Sequence, residues 1–342
     1  MQKPLLIAGP CSAETREQVL QTAEQLASNP PEFFRAGVWK PRTRPGDFEG
    51  VGETALPWLI EVKQRFGFKI AIEVAKAEHV ELALKAGVDM LWIGARSTAN
   101  PFTVQEIADA LKGVQIPIYV KNPTNPDLKL WIGAIERVEK ANVGQIAAIH
   151  RGFSVYEKTL YRNEPNWQIP LDFKHELPEI TLINDPSHIG GRVHLLAEIA
   201  QKALDLKFDG LMIETHCDPK NAWTDAKQQV TPTELFDLVS KLKLRNRSEI
   251  SDESLQGQRA ILNEIDEEII RLLRKRMQVS AEIGQFKKEH NSVIFQRNRW
   301  EEVFKMNVEK AVSNQLSREF SSELFKLIHQ ESIRIQSKIL SD

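Results

Sequence analysis

The 342-residue chain has little of several things that would narrow its class at once. It holds only two cysteines, Cys11 and Cys217, too few for a secreted disulfide framework. It lacks any apolar run near the roughly 20 residues needed to span a bilayer. Met1-Gln2-Lys3-Pro4 leads directly into an apolar strand pattern, which leaves no room for a signal peptide. An excess of either charge is also missing. Lys and Arg number 45 against 47 Asp and Glu, a net charge of -2, so nothing draws the chain to nucleic acid or to an anionic membrane surface. The expectation is a cytoplasmic protein with small-molecule partners, no nucleic acid and no membrane. Its length exceeds what one hydrophobic core usually serves, so two domains are expected.

Two patterns divide the chain. Up to residue 243, short apolar runs alternate with helix-like stretches. The runs are Leu5–Ala8, Phe33–Trp39, Ile70–Val74, Met90–Ile93, Ile116–Val120, Ile146–Ile149, Ile180–Ile183 and Gly210–Ile213. Eight strand-helix units over about 240 residues predict a parallel (β/α)8 TIM barrel. Residues 244–253 are polar and read as a linker. From 254 to 342 strand signals vanish, proline is absent, and only Gly257 and Gly284 remain of the glycines. Leu262, Ile265, Ile269, Leu272, Val279, Ile283 and Phe286 recur at three/four spacing, predicting one long amphipathic helix. Two further helices are expected near 299–312 and 321–340. Three helices in fewer than 100 residues make a poor independent core, and dimerisation would remedy that.

Chemistry in a parallel barrel sits at the C-terminal ends of the strands. Here all eight ends carry polar, ionisable or metal-binding groups. Lys40, Arg42, Arg96, Lys121 and Arg151 are five cations that would repel one another unless a phosphorylated or carboxylated ligand joined them. Cys11, His188, Glu214 and Asp225 form a mixed thiolate, imidazole and carboxylate set suited to one divalent transition ion. They follow strands 1, 7 and 8, which become neighbours when a barrel closes. Cys217 lies near the end of strand 8 and reads as an ordinary loop thiol, with oxidation to a pair with Cys11 as the alternative.

Gly9-Pro10-Cys11-Ser12, Lys40-Pro41-Arg42-Thr43, Gly94-Ala95-Arg96, Lys121-Asn122, Asp185-Pro186-Ser187-His188 and Glu214-Thr215-His216 occur in that order. Together they resemble the signatures of 3-deoxy-D-arabino-heptulosonate-7-phosphate synthases of the shorter, type I-beta branch. The resemblance implies condensation of phosphoenolpyruvate with erythrose 4-phosphate. It assigns Cys11, His188, Glu214 and Asp225 to the metal, manganese first, with iron, cobalt and zinc also accepted. Arg96, Lys121 and Arg151 would bind phosphoenolpyruvate. Lys40, Arg42 and Thr43 would hold erythrose 4-phosphate, with Lys40 as proton donor to the forming alkoxide and Glu73 near the reacting enol. The nearest competing reading is a 3-deoxy-D-manno-octulosonate-8-phosphate synthase with a purely regulatory helical domain. Those enzymes typically carry Lys-Ala-Asn where this chain has Lys40-Pro41-Arg42-Thr43.

The apolar series of the long helix is interrupted at Arg276, and Lys287 follows eleven residues on, roughly 20° away on the helical wheel. Two cations on a stripe expected to be buried call for an anionic ligand. Ser332 and Gln336 form an i, i+4 pair on the last helix. The pattern from Arg259 to Gln336 resembles the all-helical chorismate mutases. That resemblance implies rearrangement of chorismate to prephenate and a homodimer in which Arg259 serves the partner's site. It assigns Arg276, Lys287 and Gln336 to catalysis, and Arg259, Arg299 and Ser332 to substrate binding. Gln296 and Trp300 depart from the family's usual acidic residues, which weakens the expected contact with the substrate hydroxyl. A chorismate- or prephenate-binding domain behind a synthase would also serve as a feedback sensor.

Overall fold

The computed structural model describes residues 4–40, 46, 48–156, 159–245 and 253–341. The chain divides into two compact units, Met1–Arg247 and Ser248–Asp342.

The first unit is a closed barrel of eight parallel strands in sequence order. These are β1 (Leu5–Gly9), β2 (Phe33–Arg35), β3 (Ile70–Val74), β4 (Met90–Ile93), β5 (Ile118–Lys121), β6 (Ile146–His150), β7 (Thr181–Asn184) and β8 (Gly210–Glu214). The helices are α1 (Arg16–Leu26), α2 (Leu56–Phe66), α3 (Ala77–Ala86), α4 (Ala95–Thr98), α5 (Pro101–Ala110), α6 (Leu128–Lys140), α7 (Gln168–Glu176), α8 (Pro186–Gly190), α9 (Leu196–Asp205) and α10 (Pro232–Lys241).

Because side chains alternate along a strand, each strand supplies two cores. Ile7, Phe33, Trp92, Tyr119, Ile149 and Met212 point inward and fill the barrel. Ala8, Phe34, Leu91, Ile93, Val120 and Ile213 point outward and pack beneath the helices. Helix starts carry local signals: Asn100, Asp127 and Thr231 cap α5, α6 and α10, the last through a reciprocal capping box with Glu234.

β1, β6, β7 and β8 differ from their expected bounds by one residue at an end (both ends in β7), and two other strands differ for a reason the chain shows. β2 stops at Arg35 rather than Trp39. Beyond it the backbone is drawn to β1: Gly37 N–H donates to Cys11 O at 3.1 Å, and Ala13 N–H donates to Gly37 O at 2.9 Å. A Cβ at Gly37 would lie 2.5 Å from Cys11 O, so only glycine permits this crossing. β5 starts at Ile118, one residue after Pro117, which has no N–H to offer a ladder.

The second unit contains α11 (Glu253–Glu289), α12 (Arg297–Ser313) and α13 (Arg318–Ser341). Within the single chain the expected face is not covered. Leu262, Ile265, Ile269, Leu272, Val279, Ile283 and Phe286, expected to be buried, are 44–59% exposed. The better covered positions of α11 are Leu273, Met277, Ser280, Ala281, Gly284 and Lys287. Gly284 allows close approach to α13, since a Cβ there would meet Gln336 Cγ at 3.1 Å. α11 is also much longer than the helix it packs against. At 1.5 Å per residue a 37-residue helix is about 55 Å long. The 24 residues of α13 reach only about 36 Å at the same rise. A small-residue face meets α13, and the larger apolar stripe stays exposed in the single chain.

Candidate functional sites

At the barrel mouth, β1 passes Arg35 so closely that a Cβ at Gly9 would lie 2.2 Å from Arg35 O. That passage delivers Cys11, fully buried, with its N–H donating to Gln229 Oε1 at 2.9 Å. Cys11, Glu214 and Asp225 present ligand atoms that all lie within 4.8 Å of one another. The thiol donates to Asp225 Oδ2 at 3.2 Å. Lys40, itself buried, donates through Nζ to Cys11 Sγ at 2.9 Å and to Cys11 O at 3.0 Å. His188 stands at the edge of this trio, its Nε2 3.7 Å from Glu214 Oε1.

The donor set suits a divalent cation. Glu214 Oε1 is buried and accepts no hydrogen bond, although Arg35 Nη2 lies 3.2 Å away. Burial, reinforced by Glu214, pushes the Cys11 thiol up to about 12, so ionising it calls for a cation beside it. Burial also lowers the His188 pKa, leaving a neutral imidazole whose Nδ1 lies 2.8 Å from Asp185 Oδ2. A carboxylate behind a histidine favours a ring orientation suited to a metal, and here Nδ1 makes no hydrogen bond among the described residues.

Beside this cluster lies a cationic region. Lys121 Nζ pairs with Asp185 Oδ2 at 2.8 Å, both groups buried. Arg151 is buried and donates to Asn163 Oδ1 at 2.8 Å, while its backbone N–H donates to Asn122 Oδ1 at 2.7 Å. Burial, followed by repulsion from Arg162 and Arg96, brings the Arg151 guanidinium down to about 10. Arg96 is exposed at the start of α4. Glu73, on β3, accepts from Trp92 Nε1 at 3.2 Å. Its carboxyl sits where a side chain at Gly94 would be, 2.0 Å from that position's Cβ. Arg42 and Thr43 lie outside the described residues.

Among the described residues, Arg151 lies within electrostatic reach of Arg96 and of the Asp185 that pairs with Lys121, while Lys40 and Arg151 both feel Glu73. Lys40 donates to the Cys11 thiol, and Lys121 pairs with the Asp185 carboxylate, partners that strand order alone does not reveal. Four residues went unassigned in the sequence reading: Arg35, Asp185, Arg162 and Gln228. Arg35 was passed over because strand 2 was extended beyond it. Asp185 had a legible signal as the N-cap of α8, where it accepts from His188 N–H at 3.1 Å. Cys217 Sγ faces Gln18 O at 3.7 Å and His216 Nδ1 at 3.9 Å, whereas Cys11 Sγ faces Lys40 and Asp225. The two thiols share no partner, and the alternative of a pairing has no support.

In the helical unit, four of the predicted residues meet between α11 and α13. Arg276 Nη1 donates to Ser332 Oγ at 2.7 Å, and Ser280 Oγ donates to the same oxygen at 3.1 Å. One turn along, Lys287 Nζ donates to Gln336 Oε1 at 3.2 Å. Ser332 and Gln336 are buried, whereas Arg276 remains exposed. Trp300 stacks on His329 with ring centroids 3.8 Å apart. Arg299 is not gathered in; it pairs with Glu302 at 2.9 Å on the surface of α12. Arg259 lies on the exposed first half of α11, also apart from the four.

Comparison with known proteins agrees with this division. Residues 1–247 match the DAHP synthetase I family, and residues 258–337 match chorismate mutase type II. A phospho-2-dehydro-3-deoxyheptonate aldolase of Thermotoga maritima is 28% identical over 239 residues, covering 70% of this chain and 68% of that protein. A 2-dehydro-3-deoxyphosphooctonate aldolase of Helicobacter pylori is 29% identical over 280 residues, covering 71% and 96%. The solved structure of phospho-2-dehydro-3-deoxyheptonate aldolase (DAHP synthase) from Thermotoga maritima superposes with a TM-score of 0.62 at 26% identity, covering 70% and 68%. The chain thus belongs to the DAHP synthetase I family, with a chorismate mutase type II domain fused behind its barrel.

Proposed function

We propose that the barrel mouth condenses phosphoenolpyruvate with erythrose 4-phosphate at a divalent ion held by Cys11, His188, Glu214 and Asp225. The observation that carries this reading is the trio of converging donors, Cys11 and Glu214 buried and Asp225 partly so, with Glu214 Oε1 left without a hydrogen bond. The family resemblance puts manganese first, and the donor set itself accepts manganese, iron, cobalt or zinc. When bound, the ion supplies Lewis-acid polarisation of the aldehyde oxygen. Arg96, Lys121 and Arg151 bind the phosphate and carboxylate of phosphoenolpyruvate, offsetting repulsion between two anionic substrates. Lys40, with Arg42 and Thr43, addresses the second substrate. C3 of phosphoenolpyruvate forms the new bond to the aldehyde carbon, and Lys40 Nζ gives its proton to the alkoxide oxygen. Glu73 flanks the enol, water adds at C2, and inorganic phosphate leaves.

The helical unit rearranges chorismate to prephenate, a one-step shift that needs no nucleophile. Arg276 holds a carboxylate, assisted by Ser332, while Lys287 and Gln336 face the ether oxygen, where negative charge develops. Arg259 and Arg299 complete substrate binding. The exposed stripe from Leu262 to Phe286 supports a homodimer through α11, with Arg259 reaching the partner's pocket. Both activities are those of the cytoplasmic shikimate pathway.

A second reading of the same domain is feedback sensing of chorismate or prephenate. It is favoured by the Trp300–His329 stack, where the family more often has an acid for the substrate hydroxyl. The octulosonate alternative shares the barrel and the enolpyruvate substrate, but a fused chorismate mutase domain belongs with the heptulosonate reaction. The test is to assay both reactions on the full chain after chelation and after metal return. Loss and recovery of the synthase with an unaffected mutase is expected, and metal-independent condensation would overturn the barrel assignment. Adding prephenate tests the sensor, which an unchanged synthase rate would sink.

A further inference from the structure

Asp225 and Glu214 each have one oxygen engaged by a single connected set of groups. Arg162, in the segment between β6 and α7, donates through Nη1 to Asp225 Oδ1 at 2.8 Å and to Gln228 Oε1 at 2.6 Å. Gln228 is buried, and its Nε2 donates to Glu214 Oε2 at 2.7 Å. The orientation of this amide follows from its neighbours. Its oxygen meets a guanidinium and its NH2 meets a carboxylate; turned over, it would set donor against donor and acceptor against acceptor. The two oxygens left over are Asp225 Oδ2, beside Cys11 Sγ, and Glu214 Oε1, which has no hydrogen bond. Those are the oxygens that turn toward the donor cluster.

The base of the relay is itself tied down. Arg162 N–H donates to Ile189 O at 2.9 Å, and Asn163 Nδ2 donates to His188 O at 2.7 Å. Gly191 makes room for it: its φ is +64°, and a Cβ there would lie 2.6 Å from Arg162 Cβ. The arginine is thereby held by the backbone that carries His188, while its side chain reaches the loop that carries Asp225.

We propose that Arg162 and Gln228 form a positioning relay that settles in advance which oxygen of Asp225 and which of Glu214 a divalent ion meets. This rests on the reading of the cluster as a metal centre. Both residues act through the carboxylates they bond. Without them each carboxylate loses the bond on its far oxygen, and more of the ordering falls to the moment of binding.

The experiment is calorimetric titration of Mn2+ into the metal-stripped full-length protein, with thermal melts of the metal-free forms as a folding control. Arg162→Ala and Gln228→Ala should each weaken Mn2+ binding about 10- to 100-fold, the range for groups that orient metal ligands. Because the two act in series, the double variant should bind no more weakly than the worse single variant, whereas independent effects would multiply. Wild-type affinity in both single variants, or multiplied losses in the double, overturns the relay. Cys11→Ala separates the two levels. If it abolishes Mn2+ binding while the relay variants bind normally, the metal centre stands and the relay fails. If it binds Mn2+ as wild type does, or wild type binds none, both fail. Should Arg162→Ala not fold, Gln228→Ala probes the relay from its other end.

Discussion

Asp185→Asn tests how the barrel mouth tolerates its own charges. Asp185 is fully buried and places Oδ2 2.8 Å from Lys121 Nζ and 2.8 Å from His188 Nδ1. Asparagine keeps the size and the Oδ1 that accepts from His188 N–H. It removes the charge, however, and either turns an NH2 toward an ammonium or leaves only a neutral oxygen there. At 2.8 Å and an effective dielectric of 20, the lost attraction is about 6 kcal/mol. Part returns because a neutral amide costs less to bury than a carboxylate, leaving roughly 3–5 kcal/mol for a buried pair broken on one side. In a unit of this size each kcal/mol moves the midpoint by about 2–4 °C, so the barrel transition should fall by roughly 6–20 °C. The assay is scanning calorimetry of the metal-free protein in anion-free buffer, with and without phosphoenolpyruvate. Because the substrate would give Lys121 a replacement anion, it should raise the variant's midpoint more than the wild type's. A midpoint within about 2 °C of wild type would refute the electrostatic reasoning. An equal substrate shift in both proteins would refute the role of Lys121 in phosphoenolpyruvate binding.

Two further outcomes follow from other parts of the molecule. His150 is buried, with Nε2 2.7 Å from Pro165 O and Nδ1 3.2 Å from Asn184 Nδ2, and burial lowers its pKa to about 4. The unfolded chain takes up the proton first, so this contribution is full above about pH 6.5 and is lost as pH falls toward about 4, by up to about 3 kcal/mol. His150→Gln should flatten that part of the stability-pH curve in denaturant titrations; an unchanged slope would assign it elsewhere. Ile269→Asp places a charge on the exposed stripe of α11, where Ile269 is 47% exposed in the single chain. Sedimentation should show loss of the dimer together with loss of mutase activity, while the synthase persists. A variant of unchanged mass would show that the stripe is not the seam.

Much of this was legible in the sequence because it depends on local repetition. Alternating runs such as Ile70–Val74 and Met90–Ile93 read as strands, and their number called for closure into a barrel. Closure makes β1 and β8 neighbours, with Gly9 opposite Glu214, so Cys11, Glu214 and Asp225 could be grouped across more than 200 positions. Arg276, Lys287, Ser332 and Gln336 were legible as polar interruptions at helical spacing, and they meet as pairs. Arg35, Arg162 and Gln228 were not, because their meaning lies entirely in their partners. An arginine followed by an asparagine in a long loop carries no periodicity and no cap signal.

Sequence alone determined the two architectures and the chemical inventory of each, since strand and helix periods are properties of consecutive residues. Tertiary structure decided the pairings. Lys40 answers Cys11 and Lys121 answers Asp185 because closing the barrel brings those groups within 3 Å of each other, the range where charge and hydrogen bonding act strongly. It also decided that α11 turns Ser280 and Gly284 toward α13 and leaves its larger apolar side chains uncovered. A helical pattern states which residues share a face, but only packing settles which face is taken.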